Sequence, residues 1–307
     1  MSEAPAAKRA RAPALDAAVS TLAVPGLGTP YSLVVQADGS LLVSTAEHTL
    51  LMLTPSGQLA VIAGSADDED DETLQDGKGA AARFNCPSGI TVDPAGCMVV
   101  VDSGNHALRR VSQAGEVSTL AGSGEEGFAD GQGAAARFDG PDSVVLVANG
   151  EFVVSDTCNN VLRVVAPGGA VRTLAGSEEG EAGFADGQGA AARFNCPAGL
   201  ALDADGSSVL VADFNNHAVR RVTMAGAVST VAGNGEAGFA DGEGAAARFH
   251  YPADVVVDKE GTIVVADTDN HRLRKIRGGQ VTTLAGGSET GTADGAGAGA
   301  RFKKPKR

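Results

Sequence analysis

Aspartate, asparagine, histidine and arginine recur together at one spacing. The segments are Asp102-Ser-Gly-Asn105-His106, Asp156-Thr-Cys-Asn159-Asn160, Asp213-Phe-Asn-Asn216-His217 and Asp267-Thr-Asp-Asn270-His271, followed by Arg109, Arg163, Arg220 and Arg274. A degenerate copy places Ser44, Glu47 and His48 where Asp, Asn and His stand elsewhere. Two chemistries suit such a set. Imidazole is a common metal ligand. Asp and Asn also bond the backbone of tight turns, and Arg pairs with carboxylate. Four of the five histidines, His48, His106, His217 and His271, occupy equivalent places. One imidazole per repeat, spread about an axis, stands too far from the others to share an ion at ligand lengths of about 2 Å. Asp102, Asn105, His106, Asp156, Asn159, Asp213, Asn216, His217, Asp267, Asn270 and His271 are therefore read as structural, and no metal or other cofactor is expected.

A second set belongs to long loops. The string DGQGAAARF occurs at 130–138 and 186–194, with near copies at 76–84, 241–249 and 294–302. Its arginine falls at Arg83, Arg137, Arg193, Arg248 and Arg301, a period of 53 to 56 residues. Asp130 is placed to cap a short alanine turn, and Phe138 offers an apolar anchor. Because the pattern repeats, Asp130, Arg137, Phe138 and their counterparts are read as a latch between structural units.

The elements that position these residues follow from the period. Each repeat holds four short apolar runs separated by turns: Pro87–Asp93, Cys97–Asp102, then ALRRVS and Glu116–Gly122 in one copy. Turns such as Asp93-Pro-Ala-Gly96 suit hairpins, with Gly96 taking the positive φ. Inner runs such as MVVV, FVVS, VLVA and IVVA are almost entirely apolar, as suits a sheet buried on both faces. The 42 glycines and 12 prolines thus mark turns between many strands. Four antiparallel strands repeated at this period predict an all-β fold, a β-propeller of four-stranded blades. Residues 30–286 hold five complete repeats. Residues 18–23, AVSTLA, match a fourth strand without its first three, and residues 294–305 match a lead-in loop without its strands. An incomplete six-bladed ring is favoured over closure with five blades. The boundaries are a disordered Ala/Pro-rich basic tail at 1–16, the propeller at 17–302 and a basic tail at 303–307.

The long loops and the Asn-His turns share one face of such a fold. Its variable positions are Asn85, Asp139, Asn195 and His250 before the strand-opening prolines, and Tyr31, Asp142 and Asp254 after them. The run Asp67, Asp68, Glu69, Asp70, Asp71, Glu72 replaces one glycine-rich loop. It is read as a solvated loop or, more sharply, as a docking site for a basic partner segment. The net charge is −14, although the ends are basic by +1 over 1–16 and +4 over 303–307. So acidic a body repels phosphate backbones, and nucleic acid is not an expected partner. No run of 18 apolar residues exists, so no membrane span is expected. Cys86, Cys97, Cys158 and Cys196 form no C-x-x-C pair, and the N-terminus has no apolar signal core. Reduced thiols in the cytosol or nucleus are expected.

With the strands before them, the Asp-…-Asn-His segments resemble the NHL repeat over most of the chain. The leucine of that name is absent, its place taken by Ala107, Val161, Ala218 and Arg272. The resemblance implies a propeller of the kind found in multidomain regulatory proteins with tripartite-motif or BTB partners, and hence a non-catalytic scaffold that binds other proteins. No RING-type cysteine pattern exists here, so ligase activity in this chain is not implied. Related six-bladed propellers include amidating lyases and gluconolactonase-like hydrolases, and the alternative is a metal-dependent lyase or hydrolase with its site in the central channel. Asp142 and Asp254 offer two oxygen ligands there, with no His or Glu beside them.

Overall fold

Alternating or continuous apolar runs of four to six residues, separated by tight turns, fold as the β-strands of the blades. The computed structural model describes residues 17–65 and 73–306, so the 1–16 tail and the Asp67–Glu72 run lie outside the described residues. Helical content among them is confined to three-residue 3₁₀ turns. Among the described residues no helix is long and apolar enough to cross a membrane.

Five blades of antiparallel strands follow in sequence. Blade 1 comprises Pro30–Val35, Leu41–Thr45, Leu50–Leu53 and Leu59–Ala63. Blade 2 comprises Pro87–Val92, Met98–Asp102, Ala107–Val111 and Glu116–Ala121, and blades 3, 4 and 5 start at Pro141, Pro197 and Pro252. Blades 2 to 5 gain a fifth strand of two residues from the lead-in loop. In blade 2, Gly77–Lys78 pairs with the outer strand, matching Lys78 with Glu116 and Gly77 with Val117. The lead-in loop is thus built into the sheet of the blade it introduces. The alanine turn after it is 3₁₀ (Gly133–Ala135 in blade 3) and has no side-chain cap. The expected capping role of Asp130 is therefore not what the residue performs. Its carboxylate faces the sheet, because the GQ strand turns the loop edge-on to it.

The first strands of successive blades pack side by side around a central axis. Backbone approaches backbone so closely that a Cβ on Gly89 would sit 2.8 Å from Ser143 Cα, and one on Gly199 would sit 2.5 Å from Asp254 Cα. The core is a series of interblade layers. Between blades 3 and 4, Phe194, Val153, Leu162, Val164, Val209 and Val211 pack together. Phe84, Phe138 and Phe249 occupy the matching places in the other layers.

The ring stays open between blades 5 and 1. Pro252–Val257 does not pack along Pro30–Val35 as the other neighbouring inner strands do. Instead Ala18–Val19 pairs antiparallel with Gly295–Ala296, Ala18 opposite Ala296 and Val19 opposite Gly295. This is the outer-strand and lead-in pairing of a blade, in the same register as in blade 2. The fold is five blades and a partial sixth, as the sequence implied. One alignment changes: Thr45, not Ser44, stands opposite the opening proline of blade 1, as Asp102 does in blade 2.

Phe194 is fully buried between two blades whereas Phe302 is only partly so. Phe194→Ala should cost about 3–5 kcal/mol in chemical denaturation, and Phe302→Ala distinctly less. Equal losses would contradict the interblade wedge.

Candidate functional site

The recurring polar residues converge on a buried arginine. In blade 3, Arg163 Nη1 donates to Asp156 Oδ2 at 2.7 Å and to the Arg137 carbonyl at 3.0 Å. Its Nη2 donates to Asp130 Oδ1 and to the Ala129 carbonyl, both at 2.7 Å. The guanidinium lies between the rings of Phe128 and Phe138, 4.9 and 5.1 Å from their centroids. Arg220 repeats this with Asp213, Asp186, Phe184 and Phe194, and Arg274 with Asp267, Asp241, Phe239 and Phe249. Arg109 holds Asp102 and Asp76 and lies over Phe84. One side chain therefore joins the third strand, the end of the second strand and the lead-in loop.

Asparagine and aspartate complete the knot. Asp156 Oδ1 accepts the Asp139 backbone N–H at 2.8 Å, and Asn159 Nδ2 donates to Asp156 Oδ2 at 3.0 Å and to the Gly127 carbonyl at 2.9 Å. Asn105, Asn216 and Asn270 donate to Asp102, Asp213 and Asp267 in the same way. Burial pushes the Asp156 and Asp213 carboxyls up to about 6, with the neighbouring arginines opposing the shift. Burial raises Asp102 and Asp267 also.

Each turn histidine reaches the next blade. His48, His106, His217 and His271 take left-handed φ of 48° to 58°, and their Nδ1 atoms accept the backbone N–H of Cys86, Gly140, Tyr251 and Lys304 at 3.0 to 3.2 Å. In blade 3, Asn160 does the same work at φ 55°, its Oδ1 accepting from Cys196 at 2.8 Å. Among the described residues no group of three or more His, Cys, Asp or Glu side chains is placed to hold a metal ion.

What differs between blades is the mouth of the central funnel, a cavity of about 440 Å³. Its wall takes the residue after each opening proline: Tyr31, Ser88, Asp142, Ala198, Ala253 and Lys306. Phe214, Asn215 and Cys196 complete one side. Phe214 stacks on Tyr251 at 4.9 Å, and Tyr251 stacks on His250 at 5.0 Å. The sequence-derived face is thus partly gathered here. Tyr31 and Asp142 line the cavity, and Asp254 abuts Gly199 between the inner strands of blades 4 and 5. His250 lies in the aromatic stack. Asn195 Oδ1 accepts from Asn215 at 3.2 Å, Asn85 packs against Gly104, and Asp139 lies 3.8 Å from His106. Sequence reasoning missed Ser88, Ala198, Ala253, Lys306, Phe214 and Tyr251. The available signal was that residue type changes at these repeat positions although they sit beside the recurring prolines and aspartates. Burial raises the thiols of Cys158 and Cys196, opposite to the shift that activates a nucleophile.

The NHL repeat family matches residues 194–221 and 249–276, the stretches from the wedge phenylalanine through the knot arginine of blades 4 and 5. The chain is a β-propeller that carries NHL repeats in these two stretches. Its relatives include protein SUPPRESSOR OF QUENCHING 1, chloroplastic, of Arabidopsis thaliana, 27% identical over 76% of this chain and 24% of that protein. NHL repeat-containing protein 2 of Homo sapiens is 28% identical over 82% of this chain and 39% of its own length. This chain therefore spans only 24% to 39% of the length of these relatives. An auxiliary nutrient binding protein from Bacteroides ovatus superposes with a TM-score of 0.63 at 16% identity, covering 91% of this chain and 63% of that one. Virginiamycin B lyase from Staphylococcus aureus does so at 0.53 and 11%, covering 83% and 69%. At such identities the likeness is one of fold.

Two predictions follow from the knot geometry. Arg163→Met strands Asp156 in the core and should cost about 3–5 kcal/mol in urea unfolding. Asp156→Thr with Arg163→Leu, which reproduces blade 1 (Thr45 and Leu51), should recover most of that loss; a double variant as unstable as the single would refute the pairing account. The second concerns pH. Burial, then the charge of His250, holds the His217 imidazole below its ordinary value, and its bond from Tyr251 needs Nδ1 unprotonated. The unfolded chain thus takes up the proton first, so this stability is present above the ordinary histidine range and is lost as pH falls towards the folded value. His217→Asn, copying Asn160, should keep neutral-pH stability and flatten its decline between about pH 7 and 5 in thermal melts.

Proposed function

We propose that the NHL propeller is a non-catalytic scaffold that binds other proteins at the mouth of its funnel. The supporting observation is where the repeat breaks its own symmetry. The knot and the wedge phenylalanines recur in blades 2 to 5 and the turn histidine in blades 1, 2, 4 and 5, whereas the mouth presents Tyr31, Ser88, Asp142, Ala198, Ala253 and Lys306 in turn. An apolar and aromatic wall with a few charges suits a peptide segment, the aromatic side chains giving area at little entropic cost. Asp139 and Asp142 on this face, with the acidic body behind them, favour a partner segment that is basic. The setting we propose is an intracellular regulatory or ubiquitin-linked assembly, cytoplasmic or nuclear, in which the propeller is one module.

Titration calorimetry with a panel of lysine- and arginine-rich peptides tests this. Tyr31→Ala and Asp142→Asn should each weaken the tightest binder by about tenfold, with affinity falling as salt rises. Binding indifferent to both substitutions would overturn the reading. So would a divalent ion bound tightly between Asp142 and Asp254 together with metal-dependent turnover of a lactone or amide. That result would favour the lyase or hydrolase alternative.

A further inference from the structure

The opening between blades 5 and 1 is a half-built blade. Ala18–Val19 and Gly295–Ala296 already pair as outer strand and lead-in strand. Thr21 Oγ1 donates to Asp294 Oδ1 at 2.7 Å, as Thr173 and Thr230 donate to Asp130 and Asp186. In blades 2 to 5 that aspartate also receives the knot arginine of the third strand. The lead-in is complete on the other side too. Lys304 has φ 52°, matching Cys86, Gly140, Cys196 and Tyr251, and its N–H donates to His271 Nδ1. The Pro305 carbonyl accepts from Thr268 Oγ1 at 2.7 Å, as that of Pro197 does from Thr157. Pro305 thus stands where an inner strand starts.

The flanking faces are apolar and bare. Leu33 is 50% exposed, whereas its counterparts Ile90, Val144, Leu200 and Val255 are 1% to 7% exposed against the preceding blade. Val35 is 64% exposed on the same face, and Val256 is 54% exposed on the facing side of blade 5. Further out, Leu22–Pro25 already lies by Leu41 and Leu53, so the bare region is the part near the axis.

We propose that this cleft is a socket for a three-stranded antiparallel β-segment in the repeat's own register, running on from Pro305. The first strand covers Leu33, Val35 and Val256. An aspartate ending the second strand accepts the Lys303 N–H, as Asp102 accepts that of Asn85. An arginine in the third strand pairs with Asp294, and that strand's free edge pairs with Ala18–Val19. The last contact is β-augmentation of an edge already in place.

The test replaces residues 305–307 with a second copy of Pro87–Val111. The fusion should raise the thermal midpoint by at least about 5 °C, lower anilinonaphthalene sulfonate fluorescence and slow amide exchange around Leu33. Asp294→Asn should remove most of that gain in the fusion while shifting the unfused chain by no more than about 1 °C. No gain, or a gain indifferent to Asp294, overturns the proposal. So does an unfused chain that sediments as a dimer with Leu33 and Val35 protected, which would make a second copy the occupant. If the fusion does not fold, the triple change Leu33→Ser, Val35→Ser and Val256→Ser in the full chain decides. An unchanged midpoint upholds bare faces, and a fall beyond about 5 °C overturns them.

Discussion

The buried guanidinium is the constraint on which the rest depends. A blade edge that ends in a loop has no hydrophobic way to fix that loop, because the loop's backbone carbonyls need donors. Arg163 supplies four donations in two directions, to side chains and to the carbonyls of Ala129 and Arg137. Two phenyl rings cover its faces and keep water out. Its Nε finds no acceptor, as in Arg109, Arg220 and Arg274. The cost of that orphan donor is accepted in four blades alike, so the geometry of the remaining bonds outweighs it.

Blade 1 shows that such a knot is dispensable for making a blade. With Thr45 and Leu51 at the positions of Asp and Arg, it still forms four strands, and Thr45 Oγ1 bonds Thr49 Oγ1 at 2.8 Å instead. What the charged version adds is fixation of a lead-in loop, which places the opening proline and the residue after it. Buried ion pairs are poor sources of stability but good sources of registry. Here the registry is of the funnel wall. The knot places residues such as Asp142 or Ala253 from outside the funnel, which frees the mouth positions to vary.

Repetition made the architecture legible before any coordinates. The 53-to-56-residue period and the four runs were sufficient for the five complete blades and their strand order, while the unmatched ends favoured an open ring over closure with five blades without deciding between them. The roles of individual side chains were less legible. Asp130 looks like a helix cap in sequence because a capping aspartate and a loop aspartate have the same neighbours; only the turn of the Gly131–Gln132 strand directs its carboxylate to Arg163. The one-residue shift at Thr45 was hidden because blade 1 has lost one turn residue, and only cross-strand pairing with Pro30 locates it. The funnel wall was half visible. Tyr31 and Asp142 stood out by charge and aromaticity, while Ala198 and Ala253, equally part of the wall, carry no chemical mark.

Chain order then explains why the partial blade survives as it does. Each lead-in loop belongs physically to the blade after it, since its short strand pairs with that blade's outer strand. A blade is therefore held at its outer edge by residues about forty positions upstream, and at its inner edge by packing on its neighbours. In the sixth blade the two halves of the outer hold come from opposite ends of the chain, Ala18–Val19 and Gly295–Ala296. The outer clasp forms without the strands it normally encloses because its pairing is local to two residues and the Thr21–Asp294 bond. The inner packing has no such local substitute, which is why Leu33 and Val256 are bare while the rim is joined.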